Sequence, residues 1–186
     1  LKDIYAKAIL AGDQQPENDA TPTREIEVME DGTGYVIVGT GNEMGNRLPV
    51  SYESMNSLTE SIYFPDEIGM EGMIAGIGYI YSFRQNVSDA PLKIWMGECL
   101  QSDLTTGWIP ASDLTLVFDG TASYQKGIDT VRIDFTNPYE YHGGNLVIMV
   151  NRPFDYTIFA GNELGPNLFQ SSSTPEHPGR SREYFA

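Results

Sequence analysis

Aromatic side chains are the residues of this chain whose types and spacing most suggest a chemistry. The sequence has 11 Tyr and 2 Trp, and aromatic rings stack on the apolar faces of sugars as they do on other flat partners. Trp95 shares a predicted strand face with Lys93, which favours an outer-surface position. Trp108, Tyr139 and Tyr141 lie in or beside predicted loops. Trp108 with Tyr139 and Tyr141 is the leading predicted ligand-binding surface, and Trp95 is a further candidate. The alternative is that they cover the open ends of a sandwich.

Acidic loops suggest a second chemistry, calcium binding through carboxylate oxygens. Two loops concentrate such residues, and the candidate ligands are Asp13, Glu17 and Asp19 in the first and Asp66 and Glu67 in the second. Neither loop has the ligand order of an EF-hand. Because Asp and Asn favour turns for backbone reasons alone, solvated turn carboxylates are the favoured interpretation. Ca²⁺ is kept as the alternative, and no other cofactor is predicted.

Other segments imitate catalytic or nucleotide-binding motifs. The glycines of residues 39–45 have a spacing one residue too long for a dinucleotide fingerprint, and no helical periodicity follows them. Cys99 with His142 or His177 would supply a nucleophile and a base, but nothing in the sequence orients them. GxSxG, HExxH and paired-Cys zinc spacings are absent from the sequence. We therefore predict that this chain is not an enzyme.

The charge balance narrows the range of partners. Asp and Glu outnumber Lys and Arg by 26 to 11, which gives a formal net charge of −15. Such a surface repels phosphate, so nucleic acid is not expected as a partner. The sequence has no run of about 20 apolar residues, so membrane insertion is not expected either. The single Cys99 rules out an intramolecular disulfide framework and leaves the compartment open.

The apolar residues alternate with a period of two and their runs end at turn residues, which is typical of short strands. Val131, Ile133 and Phe135 are the clearest example, since polar residues separate them. The segment 145–151 is apolar on both faces, which predicts a central strand. Further strands are predicted at 35–39, 57–64, 73–83, 92–98, 114–118, 156–160 and 183–186, with helical turns only near 65–69 or 112–115. The predicted fold is all-β, an antiparallel two-layer jelly-roll-like sandwich with an N-terminal β-hairpin.

The predicted hairpin suggests two parts in the chain. Segments 3–10 and 24–28 alternate as strands, but two strands cannot bury a core alone. Residues 5–13, followed by Asn18 and Asp19, resemble the end of CARDB-type adhesion-related modules. Residues 1–31 are therefore predicted to be the closing hairpin of an Ig-like or CARDB-like module, or strands added to the next sheet. Residues 34–186 are predicted to form one jelly-roll-like sandwich.

A second resemblance covers most of residues 34–186. The segments that carry it, in order, include 39–41, 61–69, 74–79, 92–96, 108–114, 116–121, 133–141 and 144–150. They look like a module of secreted multidomain bacterial surface proteins, similar to gingipain-type adhesin domains. The resemblance implies a jelly-roll accessory domain exported to the cell surface, with neighbouring domains in a longer parent chain. It carries no catalytic motif.

Two function classes follow from these observations. The first is a noncatalytic extracellular module for adhesion, for carbohydrate or protein binding, or for domain spacing. Its partner would be a glycan or a host or cell-surface protein. The second is an accessory domain of a secreted hydrolase, a peptidase or glycosidase whose catalytic residues lie outside this chain.

Overall fold

The computed structural model describes residues 2–4, 24–26, 33–153, 167–172 and 175–185. The chain divides into two compact units, residues 1–36 and 37–186. In the first unit, β1 (Lys2–Ile4) pairs antiparallel with β2 (Arg24–Ile26). The predicted N-terminal hairpin is therefore present. Its origin in a preceding module stays a prediction.

The second unit contains nine described strands. They are β3 (Glu43–Asn46), β4 (Ser57–Tyr63), β5 (Gly72–Phe83), β6 (Val87–Cys99), β7 (Thr115–Tyr124), β8 (Gly127–Tyr141), β9 (Asn145–Arg152), β10 (Leu168–Ser171) and β11 (Ser181–Phe185). A short helix α1 (Pro65–Ile68) and a 3-10 turn (Ala111–Asp113) occur where the sequence predicts helical turns. No helix in the described ranges is long and apolar enough to cross a membrane.

These strands form two antiparallel sheets with jelly-roll topology. The four-stranded sheet has the order β3-β10-β5-β8 and the five-stranded sheet has the order β11-β4-β9-β6-β7. The pairs are nested, since β6 pairs with β7, β5 with β8, β4 with β9 and β3 with β10. A long hairpin rolled over itself gives this arrangement, and β11 extends one edge of it. The prediction of an all-β jelly-roll-like sandwich is confirmed.

The core lies between the two sheets and follows the predicted alternation. Val131, Ile133 and Phe135 of β8 are buried in it, as is the inner face of β9. Val147 of β9 points the other way and is also buried, in a second apolar cluster. Because β9 lies between β4 and β6 and is covered on both faces, its predicted central position is confirmed.

The predicted strand at 35–39 is wrong. These residues form no strand in the structure, and Ile37 is 86% exposed. Apolar alternation makes a strand only where another strand supplies hydrogen bonds, and in this region the pairing with β10 begins later, at Glu43–Asn46. The strand β10 was not predicted. The predicted strand at 156–160 lies outside the described residues.

Candidate functional site

The four predicted aromatic residues lie in two separate places. Trp95 lies on β6 of the five-stranded sheet, and Trp108 lies in the loop that joins β6 to β7. Tyr139 and Tyr141 lie on β8 of the four-stranded sheet. Tyr139 and Tyr141 therefore lie apart from Trp108, with which the sequence predicts that they form one surface.

The outer face of the five-stranded sheet carries Trp95. Leu92, Ile94 and Met96 of β6 are buried in the core, so the alternating Trp95 points outward, where it is only partly buried. Strand register places Met149 opposite Trp95, and Glu60 opposite Met149. A continuous row of side chains therefore crosses this face.

The row ends at Arg182 of β11, which is paired with Glu60. The Arg182 Cζ atom lies 5.5 Å from the centroid of the Trp108 ring, within the range of a cation–π contact. The Arg182 Nη1 donates a hydrogen bond of 2.8 Å to the Leu104 carbonyl. Arg182 therefore holds the loop that carries Trp108 against the sheet, and the two Trp residues lie on the same face.

The loop between β6 and β7 is anchored by its own apolar residues. Leu104 and Ile109 are buried against Ile62 and Val147, with Leu114 partly buried beside them. This cluster covers one part of the outer face and leaves the part near Trp95 open. A buried anchor makes the position of Trp108 well defined, although it lies in a loop.

Glu60 is a charged residue buried beneath this loop. Its side chain is 0% exposed, and its Oε2 accepts a 3.0 Å hydrogen bond from the Ile109 backbone N–H. Its Oε1 has no hydrogen-bond partner among the described residues. Burial raises the pKa of Glu60, and the opposing effects of Ile109 N–H and Arg182 do not cancel it. The carboxyl group stabilises the loop but is not accessible to a ligand.

A second row of side chains lies beside the first on the open part of the face. Tyr184 of β11 is 59% exposed and lies opposite Leu58. Further along the row are Asn151 and Lys93, which are also opposite each other. Lys93 Nζ forms an ion pair of 2.8 Å with Asp119. We call the open surface formed by Lys93, Trp95, Trp108, Asn151 and Tyr184 the outer aromatic face.

Tyr141 is not the exposed ring that the sequence predicts. It is 2% exposed and belongs to the core, and its hydroxyl donates a 2.7 Å hydrogen bond to the Gly144 carbonyl. Tyr139 is partly buried against the same core, and its hydroxyl lies 3.5 Å from Glu98 Oε2. The two tyrosines do share one side of an extended strand, but that side faces inward. Burial raises the pKa of both hydroxyl groups.

Glu98 fixes the turn between β8 and β9. Its Oε1 accepts a 2.5 Å hydrogen bond from Gly144 N–H, and its Oε2 accepts one of 3.2 Å from His142 N–H. The His142 Nδ1 also lies 3.2 Å from Oε2. Burial acts to raise the pKa of Glu98, but the contacts with Gly144 and His142 outweigh it and lower the pKa. Glu98 therefore has a structural role at this turn.

The second predicted calcium loop contains an ion pair. Glu67 Oε2 accepts hydrogen bonds from Arg180 Nη1 at 2.6 Å and from Phe64 N–H at 2.8 Å. Burial acts to raise the pKa of Glu67, but these contacts lower it overall. Asp66 is exposed on α1. Across the described ranges, no group of three His, Cys, Asp or Glu residues is arranged to hold a metal ion. Asp13, Glu17 and Asp19 lie outside the described residues.

The candidate nucleophile and bases have other contacts. The Cys99 Sγ donates a 3.4 Å hydrogen bond to the Gln101 carbonyl, and burial raises the pKa of its thiol. His142 contacts Glu98, and the His177 ring packs against Phe64 with centroids 4.7 Å apart. None of these contacts joins Cys99 to a histidine.

Comparisons with family models, with curated proteins and with solved structures found no match. The resemblance to secreted bacterial surface modules therefore stays a prediction. Sequence reasoning found Trp95 and Trp108 but missed Asn151, Arg182 and Tyr184. The alternation of Arg182 with Tyr184 in a strand would indicate a shared face, but only the sheet order shows which residues lie beside them.

Proposed function

We propose that residues 37–186 form a noncatalytic carbohydrate-binding module of an exported, cell-surface protein, with the outer aromatic face as its binding site. The observation that carries this proposal is the presence of Trp95 and Trp108 on one face of one sheet. The β11 and β6 strands are three strand spacings apart, or about 14 Å at about 4.8 Å for each spacing. A ligand that reaches from β6, which carries Trp95, to Arg182 of β11, which contacts Trp108, would be an oligosaccharide, since one sugar ring is shorter than that strand separation.

The composition of the face supports a sugar ligand. Rings of Trp and Tyr offer flat apolar surfaces, while Asn151 and Lys93 offer hydrogen-bonding groups between them. Lys93 is paired with Asp119, so the open face presents little net charge of its own. A neutral glycan satisfies both kinds of contact without having to displace a strong ion pair.

The rigidity of the face also favours binding. Trp95 is held by a strand paired on both sides, and the Trp108 loop is fixed by buried residues. Rings that are already ordered lose less conformational entropy when a ligand binds. An accessory domain of a secreted hydrolase would use the same surface, so the parent chain decides between the two roles.

Glycan-array screening followed by isothermal titration calorimetry tests the proposal. We expect Trp95→Ala and Trp108→Ala each to weaken binding of the selected oligosaccharide by roughly 2- to 12-fold, the equivalent of about 0.5–1.5 kcal/mol for one aromatic contact. Ile128→Ala is the control, because Ile128 is 72% exposed on the other sheet. Thermal melts establish that each variant is folded.

Two results would contradict the proposal. One is an array on which no glycan binds. The other is a glycan whose affinity is the same in both Trp variants and in the wild type, or is lowered equally by Ile128→Ala.

A further inference from the structure

The inner face of β4 differs from that of the other core strands because it carries hydroxyl groups. Thr59, Ser61 and Tyr63 lie opposite Val150, Ile148 and Leu146 of β9, which all point into the core. Residues of β4 that alternate with them, such as Ile62, point outward instead. This end of the sandwich interior is therefore lined by polar groups where apolar side chains would be expected.

A cavity of about 360 Å³ lies next to these residues, between the two sheets. The hydroxyl-bearing residues that line it include Thr59, Ser61, Tyr63, Tyr79, Ser171 and Ser181, from four different strands. Ile148 and Val150 supply an apolar wall. The volume lies at the lower end of the range for small-molecule sites. Convergent hydroxyl groups around a space of this size are a feature of a binding site rather than of a packed core.

The hydroxyl groups keep much of their hydrogen-bonding capacity. Thr59 donates to the Pro49 carbonyl at 2.6 Å, and Ser61 Oγ lies 2.9 Å from Ser181 Oγ. Each of these oxygens can still accept a further hydrogen bond. Burial and the neighbouring Tyr63 and Tyr124 raise the pKa of the Tyr79 hydroxyl, so this group stays protonated and can donate a hydrogen bond. A ligand with several hydroxyl groups would satisfy donors and acceptors at once.

The cavity carries little net charge in a strongly acidic chain. No carboxylate is among its described lining residues, and its one guanidinium, that of Arg180, is paired with Glu67 at 2.6 Å. His177 also lines the cavity. A charged ligand would enter this space without a free counter-charge, which is costly. The lining therefore favours an uncharged ligand.

We propose that the cavity between the sheets binds a small, uncharged, polyhydroxylated molecule of about the size of one monosaccharide. This site is separate from the outer aromatic face and lies on the opposite side of the five-stranded sheet. It does not depend on the proposed oligosaccharide binding. The two sites would recognise different parts of a glycan or entirely different ligands.

Ligand-observed saturation-transfer NMR with D-glucose, D-galactose, D-mannose and N-acetyl-D-glucosamine at millimolar concentration tests this inference. We expect at least one sugar to bind the full chain. Ser61→Leu should abolish the signal because its side chain fills the cavity. Tyr79→Phe should weaken binding by roughly 2- to 12-fold, the effect of one lost hydrogen bond. Ser102→Leu is the matched control, since Ser102 is exposed in the loop between β6 and β7.

Trp95→Ala separates this inference from the proposed function. Monosaccharide binding that persists in Trp95→Ala and Ser102→Leu but is lost in Ser61→Leu supports the cavity site. Binding lost in Trp95→Ala and kept in Ser61→Leu would assign the sugar to the outer aromatic face and overturn the inference. Absence of binding by all four sugars would overturn it as well. If Ser61→Leu does not fold, an unchanged affinity in Tyr79→Phe is the contradicting result.

Discussion

Replacement of Glu98 by Gln tests how strongly one carboxylate stabilises the turn between β8 and β9. Glu98 accepts hydrogen bonds from Gly144 N–H at 2.5 Å and from His142 N–H at 3.2 Å. Hydrogen bonds to a charged group contribute about 1.5–3 kcal/mol each, and Gln keeps one neutral acceptor. We therefore expect Glu98→Gln to lower the free energy of unfolding by about 2 kcal/mol at pH 7, the equivalent of about 4–8 °C in melting temperature.

The effect should depend on pH in a defined direction. The pKa of Glu98 is lowered in the folded state, so its contribution is fully present above the ordinary Glu pKa of about 4.3 and is lost as the pH falls through the lower folded value. The wild type and Glu98→Gln should therefore differ at pH 7 and converge on further acidification below pH 4.

Urea unfolding followed by tryptophan fluorescence measures this difference, since Trp95 and Trp108 both belong to the second unit. Glu140→Gln is the matched control, because Glu140 is 71% exposed and lies 3.9 Å from His142 Nε2 without contacting the turn backbone. A stability difference that stays constant from pH 7 to pH 3, or an equal loss in Glu140→Gln, would refute the assigned role of the carboxylate.

Three further predictions concern stability. Glu60→Gln should stabilise the fold by about 1 kcal/mol at pH 7 in urea titrations, because it removes a buried charge. Since the pKa of Glu60 is raised in the folded state, the wild type loses stability as the pH rises through that pKa, and the advantage of the variant should vanish below pH 4. A variant less stable than the wild type at pH 7 would contradict this. Arg152→Met should lower the free energy of unfolding by about 2–4 kcal/mol in the same titrations, because the buried guanidinium donates hydrogen bonds to the Ser51 carbonyl at 3.0 Å and to the Ser54 carbonyl. A change below about 1 kcal/mol would contradict this. Deletion of residues 1–32 should leave the melting temperature of the second unit within a few degrees by calorimetry, and loss of cooperative unfolding would show that the hairpin is an integral part of the sandwich.

Local patterns predicted the strands but not their neighbours. The alternation around Val131 and the two-sided apolar run of β9 identified a buried strand and a central strand, because both properties depend on the burial of adjacent residues. The same alternation at 35–39 predicted a strand that does not exist, since the pattern carries no information about a pairing partner. The buried side of a strand is therefore more predictable from the sequence than the strands with which it pairs.

In the candidate site as well, the properties that depend on adjacent residues were predicted from the sequence, and those that depend on strand pairing were not. The outward direction of Trp95 follows from its own strand, and that prediction is confirmed. The shared side of Tyr139 and Tyr141 was predicted, but which side faces the core depends on the sheet that β8 joins. The proximity of Arg182 to Trp108 depends on contacts between residues far apart in the sequence. No local spacing contains that information.

The nested strand pairs differ in how far apart their two strands lie in the sequence, and this difference affects the order in which the pairs form and separate. The β6 and β7 strands are close in sequence, whereas Met44 of β3 meets Gln170 of β10 across nearly the whole unit. Because the entropy cost of closing a loop rises with its length, the pair of β3 and β10 is expected to form last during folding and to separate first. Native-state hydrogen exchange should then be fastest in β3 and β10 and slowest in β6 and β9. Ser171 of β10 lines the cavity, so local opening of that strand would let a molecule enter or leave while the rest of the sandwich stays folded.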